Sequence, residues 1–378
     1  MGLRVLIAPD KFKGTLDAAE AAAGIERGWR RGRPADTTQR FPISDGGEGF
    51  GALIGASLGA ETRLCETVDA AHRPCAAAWW WHAPSGTAIL ETARVIGLAM
   101  LERGRYHPFE LDTFGLGAVV RAAEAAGARR LLLGIGGSAT NDGGFGLARA
   151  LGVVFHNDRG RAIERWTELH ALAQVHPPKH PPRFESVVVA VDVQNPLLGP
   201  QGCARVYGPQ KGLRDEDFPF AERCLGRLAA VVEKDWHEAA ATLPGAGAAG
   251  GLGFGLRCFL GARLEPGFAL FAETAGLEPR LAEADLVLTG EGAIDASTLM
   301  GKGVGELAAR CARRGLPCLG LAGACDLPPG PAGHFAAIHA IVPQVASRED
   351  ALARPARHLE TLAEAAARHW TARHPESA

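Results

Sequence analysis

The stretch Arg129–Gly152, "RRLLLGIGGSATNDGGFGLARALG", decides the fold class. It opens on a short apolar run, passes through the loop "GIGGSATNDGG" (Gly134–Gly144), and closes on the helix-like run "FGLARALG". Glycine is costly inside helices and strands, so a loop this rich in it serves close backbone approach or turns that other residues cannot make. The same order of strand, polar loop and helix recurs on either side. Upstream, "RVLIA" ends in "PDKFKGTL" and leads to the helix pattern "DAAEAAAGIERGWRRG"; "TTQRFPISDGGEGF" then enters an acidic glycine loop before the helix "GALIGASLG". Downstream, "SVVVAVDVQNPLLG", "ADLVLTGEGAID" and "PCLGLAGA" read as strands, "DFPFAERCLGRLAAVVEK" and "GKGVGELAARCARRG" as helices, and an alanine-rich helix covers Arg357–Trp370. Strands alternating with helices predict a mostly parallel sheet. Ligands of such sheets sit outside the carboxyl ends of the strands. Asp10, Asp192 and Glu291 each follow an apolar run, Ser138, Asn141 and Asp142 occupy another such loop, and Asp45 lies in a loop of the same kind.

One segment departs from this rhythm. "ETRLCETVDA", "CAAAWWWHA" and "TAILETA" are strand patterns, with "APSG" as a turn, and together predict antiparallel or mixed sheet. Trp79, Trp80 and Trp81 are expected to pack on both faces of that sheet. The resulting division is 1–62 plus 284–378 as one α/β domain and 63–283 as a second, mixed one.

Composition narrows the class. The 378 residues are 47% hydrophobic and 22% charged, with a formal net charge of −2, which is globular and argues against nucleic acid as the main partner. The eight cysteines show no CxxC pair and no zinc spacing, which predicts reduced thiols in a cytoplasmic protein. The first apolar run is too short for a signal peptide, Gly2 lacks the hydroxyl residue of a myristoylation site, and no apolar run approaches a membrane span.

The motifs admit more than one reading. Gly134, Gly136 and Ala139 fit a dinucleotide GxGxxG/A pattern with Asp158 in the place of a ribose-binding acid. Against it, "TNDGGFG" would be a poor first helical turn. The alternative is a wider loop in which Gly136 and Gly137 let backbone N–H groups cradle phosphate, Ser138 donates a hydrogen bond, and Asp142 orients Mg²⁺. "SDGGEG" places Asp45 on a flexible turn, and "TGEGAIDASTLMGKG" carries Glu291, Asp295 and Lys302. Asp295 suits helix capping as well as chemistry. Lys11 and Lys13 flank the first strand end, Lys211 sits in the loop-like "YGPQKG", and Arg94 lies in an otherwise apolar run where a buried guanidinium needs an anion. Pro196 forces Asn195 out of helical geometry, which presents Asp192 on a stiff extended turn. Acids, cations and glycine loops match phosphoryl transfer, which needs positioning, Mg²⁺ and charge neutralisation.

Six blocks in order, "APDKFKGTL", "PISDGGEGF", "GIGGSATNDGGFGLARALG", "NPLLGPQG" with "YGPQKG", "GAGAAGGLGFGL" and "LVLTGEGAID…GKG", resemble the bacterial type-I glycerate kinases over nearly the whole chain. The resemblance implies ATP-dependent phosphorylation of D-glycerate with Mg²⁺, and 2-phosphoglycerate as the favoured product. It also implies two α/β domains, one flavodoxin- or Rossmann-like and one restriction-endonuclease-like, with the site in the cleft between them, in a monomer or homodimer. On this reading Asp192, Asp45 and Lys211 are catalytic, Asp192 being the general base. Lys11, Lys13, Arg94, Ser138, Asn141, Asn195, Glu291, Asp295, Gly136 and Gly137 bind substrate or phosphate, and Asp142 and Asp45 serve the metal. Gln194 and Ala293 depart from the family pattern, where an acid and a basic residue are common. The rivals are a 3-phosphoglycerate-forming kinase, a non-catalytic sugar-acid or nucleotide binder on the same scaffold, and an NAD-dependent dehydrogenase.

Overall fold

The structure, a computed structural model, describes residues 2–299, 303–327 and 333–373. The chain divides into two compact units, Met1–Asp45 with Phe271–Ala378, and Gly46–Leu270.

The first unit is built on a five-stranded, wholly parallel sheet. Its order is Ala337–Ala340, Cys318–Cys325, Leu286–Ile294, Arg4–Ile7, Thr37–Arg40. The opening strand therefore lies beside one from the far end of the sequence, with Val5 opposite Leu286 and Ile7 opposite Leu288. The helices Ala18–Gly32 and Pro355–Arg373 contribute Ile25, Trp29, Leu359 and Leu362 to the same apolar core as Val5, Ile7, Leu286 and Leu288. The first of these helices starts where the sequence provides a cap: Asp17 Oδ1 accepts from Glu20 N at 2.7 Å, and Glu20 Oε2 accepts from Asp17 N at 2.9 Å.

The second unit carries a six-stranded mixed sheet in the order Arg263–Pro266, Ser186–Val191, Arg130–Gly134, Thr87–Glu91, Pro74–His82, Glu61–Val68. The last two strands join antiparallel, and the other four run parallel to one another. A two-stranded hairpin, Val154–Asn157 with Leu172–His176, forms a separate sheet. The three tryptophans are buried: Trp79 and Trp81 enter the core on one face, and Trp80 lies on the other against the helix Phe50–Leu58. That helix fits Trp80 closely, since a Cβ on Gly51 would stand 2.2 Å from the indole. This packing draws residues after Asp45 into the mixed unit, upstream of the break after residue 62 that the strand pattern suggested. At the other end, Phe271 meets Phe41 at 5.9 Å between ring centroids, and Arg280 stacks on Phe41, so both belong with the parallel sheet.

Candidate active site

In the mixed unit, the strand Arg130–Gly134 runs into the loop that opened the sequence reading. Asp142 holds that loop. Its Oδ2 accepts from Thr113 N at 2.9 Å, Thr113 Oγ1 at 2.7 Å and Gly146 N at 2.9 Å, while Oδ1 accepts from Gly144 N at 3.3 Å. The residue is 0% exposed. Burial and then the charge of Asp112 push its carboxyl up to about 6, against the pull of these hydrogen bonds. The carboxylate expected to orient Mg²⁺ is thus enclosed and engaged by its own loop. Thr113, which sequence reading passed over, is what clamps it.

Beside this loop, the glycine tract "GAGAAGG" enters the helix Ala248–Leu260 through three left-handed residues, Ala249, Gly250 and Gly251. Gly250 is obligatory there, because a Cβ would fall 1.9 Å from the Thr140 carbonyl oxygen.

Lys211 ends the helix Cys203–Lys211, so "YGPQKG" is helix rather than the loop its composition suggested. Its Nζ donates to Ser138 Oγ at 3.0 Å and to the Thr140 carbonyl at 2.6 Å. The residue is 7% exposed, and burial lowers its ammonium to about 8 despite the nearby Cys203 and Asp142. Both acceptors are neutral, and an ammonium has three donors. The side-chain oxygen and nitrogen of Asn141 and the hydroxyl of Thr140 are enclosed without a hydrogen-bond partner among the described residues. Gly136 and Gly137 form the turn before Ser138, where Gly137 O accepts from Leu98 N at 2.9 Å.

Asp192 follows the strand Ser186–Val191 and is exposed. Tyr207 stands near enough that its hydroxyl, raised chiefly by burial and then by the Asp192 charge, reaches about 12. Asn195 braces its turn: Nδ2 donates to Gln201 O at 2.8 Å, and Oδ1 accepts from the Tyr207 hydroxyl. Arg94 is not buried as its apolar context implied. Its side chain is 49% exposed, and its Nε lies 3.8 Å from Glu91 Oε1.

The parallel unit gathers a different set. Asp10, Asp45 and Glu291 interact electrostatically at the strand ends, and Lys11 Nζ is 3.8 Å from Asp45 Oδ1. Burial first, then the charge of Asp45, raises the Asp10 carboxyl to about 7. Glu291 Oε1 accepts from Thr298 Oγ1 at 2.7 Å. Asp295 caps the turn after it, since its Oδ1 accepts from Ser297 N at 2.7 Å, Ser297 Oγ at 2.6 Å and Thr298 N at 3.2 Å. Lys13 is exposed, and Lys302 lies outside the described residues. Asp10 was legible by the same signal as Asp192, an acid ending an apolar strand. Among the described residues, no group of three or more His, Cys, Asp or Glu side chains is arranged to hold a metal ion by itself.

The dinucleotide reading loses its acid. A ribose-binding acid follows the second strand of the same parallel sheet. Here the strand after the loop and helix is Val154–Asn157, which belongs to the separate hairpin, and Asp158 lies exposed in its turn.

This α/β architecture, with polar loops at its strand ends, is that of a kinase. The chain belongs to the glycerate kinase family, whose model matches residues 5–371. It is 36% identical to a glycerate kinase of Halalkalibacterium halodurans over 95% of this chain and 96% of that one. It is also 36% identical to the glycerate 2-kinase of Escherichia coli K12, over 85% of each. The crystal structure described as "putative glycerate kinase 2" from Salmonella typhimurium LT2 superposes with a TM-score of 0.83 at 32% identity, covering 99% of this chain and 100% of that one. No helix among the described residues is long and apolar enough to cross a membrane.

Proposed function

We infer that this protein is an ATP-dependent glycerate kinase that transfers the γ-phosphoryl group of ATP to D-glycerate, giving 2-phosphoglycerate. The observation that carries the reading is Lys211: a buried ammonium held by two neutral oxygens on the Ser138–Thr140 loop, within a family match spanning residues 5–371. A buried cation calls for an anion. Lys211, Ser138, Asn141 and the backbone of Gly136 and Gly137 are assigned to the negative charge of the transferred group. Asp192, exposed at a strand end, is assigned as general base. The glycerate oxygen attacks the γ-phosphorus, its proton passes to Asp192, and ADP departs with the electrons of the broken P–O bond.

Mg²⁺ is assigned to the parallel unit. The ion neutralises phosphate charge and keeps several waters, so it needs only one or two carboxylates from the protein. Asp45 and Glu291 fit that requirement, with Lys11 beside Asp45 as a further cation. Asp142 is assigned to holding its loop, and Asn195 and Asp295 to bracing theirs. Lys13 and Arg94 remain as exposed cations for the incoming acid. All eight cysteines are free thiols, which supports a cytoplasmic protein. Its working form is taken to be a monomer or homodimer.

Phosphorus NMR of the product from D-glycerate, ATP and Mg²⁺ tests the reading. A 2-phosphoglycerate signal is expected; 3-phosphoglycerate as the dominant product overturns the regiochemistry, and absence of ATP turnover overturns the function.

A further inference from the structure

Glu91 ends the strand Thr87–Glu91, next in the sheet to the strand that carries the Ser138 loop. It is 3% exposed. One carboxylate oxygen, Oε1, accepts from Gly49 N at 2.9 Å and lies 3.8 Å from the Arg94 guanidinium. The other, Oε2, is enclosed and has no hydrogen-bond partner among the described residues; the hydroxyl of the adjacent Thr92 is in the same condition. An unpartnered buried carboxylate oxygen is expensive, and the cost is far above that of a neutral group. Capping the helix Phe50–Leu58 needs only one oxygen, and a glutamine would do it without a charge. The Gly51 N–H of the same helix end also acts on this carboxylate, but no donor among the described residues stands in bonding position to Oε2 itself.

The surroundings say where that donor comes from. The segment after Glu91 is tied to the Ser138 loop by backbone hydrogen bonds from Thr92 N to Gly134 O, Leu98 N to Gly137 O and Ala139 N to Ile96 O, all 2.8–2.9 Å. Glu91 is thus fixed to the same loop that bears the Lys211 acceptors. Above it, the turn at Gly46–Gly49 meets the turn at Gly134–Gly137 almost backbone to backbone. A Cβ on Gly136 would stand 2.7 Å from Gly47 Cα, and Gly136 N reaches Gly46 O only at 3.4 Å. A ligand that parts this seam meets a fixed hydrogen-bond acceptor.

We propose that Glu91 is a specificity-determining residue that accepts a hydrogen bond from the hydroxyl of D-glycerate that is not phosphorylated, with Oε2 facing the substrate and Oε1 holding Gly49. Resting on the glycerate kinase reading above, this makes the 3-hydroxyl the group that distinguishes glycerate from its deoxy analogue, D-lactate. Lactate retains the 2-hydroxyl and the carboxylate but leaves Oε2 without a donor.

Two measurements test it. In the wild-type enzyme, kcat/KM for D-lactate should fall about 10- to 100-fold below that for D-glycerate, the usual worth of a hydrogen bond to a charged group. In Glu91→Gln, Oε1 can still accept from Gly49 N while the Nε2 group replaces Oε2. The KM for D-glycerate should rise about 10-fold or more, the KM for ATP should stay unchanged, and the preference for glycerate over lactate should shrink. Wild-type enzyme that uses D-lactate as well as D-glycerate overturns the proposal, whether or not the variant folds. So does a variant that keeps the wild-type KM for glycerate, or one whose two KM values rise together, since Glu91 is then only a cap. Wild-type enzyme without any ATP-dependent phosphorylation of D-glycerate overturns the kinase reading instead, and the two failures are told apart by that one control.

Discussion

Replacing Lys211 with methionine separates stability from activity in a way that follows from the charge's burial. The ammonium falls from 10.5 to about 8 on folding, chiefly through desolvation. At about 1.36 kcal/mol per unit, the folded protein bears a cost of about 3 kcal/mol for keeping it charged. The folded value lies below the unfolded one, so the unfolded chain binds more protons between about pH 8 and 10.5. Wild-type stability therefore gains with pH across that window, and the cost is present in full below it. Lys211→Met removes the cost but leaves the Thr140 carbonyl without its donor, a loss of about 1–3 kcal/mol. At about pH 7 the two terms nearly cancel, and the variant should unfold in urea within about 2 kcal/mol of wild type. Near pH 9.5 most of the wild-type cost is gone, and wild type should have gained about 2 kcal/mol on the variant. The lost hydrogen bond does not depend on pH, so the change in the gap isolates the charge. Activity should behave differently. Removing a group that stabilises transferring charge costs about 10²–10³ in kcat. Urea unfolding at both pH values with steady-state rates on the same preparations checks both halves. A gap that does not move with pH would refute the desolvated ammonium, and near-normal kcat would refute its role in transfer.

Asp192→Asn keeps the shape of the strand end and removes its basicity. Its kcat should fall by about 10²–10⁴ with little change in the KM for glycerate; an unchanged rate would mean that the carboxylate only closes its turn. Asp10→Asn concerns stability. The folded carboxyl is raised from 3.8 to about 7, so wild type loses stability as pH rises through that window. The variant should exceed wild type by a few kcal/mol at about pH 8 and by nothing near pH 4, read by thermal or urea unfolding at the two pH values.

The alternation of strand and helix was legible because each apolar run is short and ends in a polar loop. That pattern fixes a parallel sheet but not which strands adjoin. Arg4–Ile7 pairs with Leu286–Ile294, and nothing local to either segment announces the other. The mixed sheet was legible through its alternating strands, whereas Arg263–Pro266, "RLEP", escaped notice because it has only one large apolar residue and ends in proline. The tract "GAGAAGGLGFGL" has the composition of a loop, yet from Leu252 onward it is helix. Its glycines answer to close approach, at Thr140 and Gly143, and approach to a distant segment leaves no periodicity behind.

The site divides along a similar line. Residues whose type and position point to solvent at a strand end, such as Asp192 and Lys11, lie there as expected. Surroundings were harder to read where a polar side chain's partner is remote in sequence. The loop of Asp142 looked open, but Thr113, 29 positions away, donates two hydrogen bonds to its carboxylate. Arg94 looked buried because its neighbours are apolar, yet only one face of the short helix Ala93–Ile96 turns inward. Glu91 attracted no attention, although it ends an apolar strand as Asp192 does, because "LETAR" reads as an ordinary strand-to-helix passage. What distinguishes it is that only one of its two oxygens is hydrogen-bonded, a fact of three-dimensional accounting. Enclosed polar atoms without a hydrogen-bond partner among the described residues sit on Glu91, Thr92, Thr140 and Asn141, at or after the ends of two neighbouring parallel strands of a single sheet, and also on Trp79, Trp166 and Glu222.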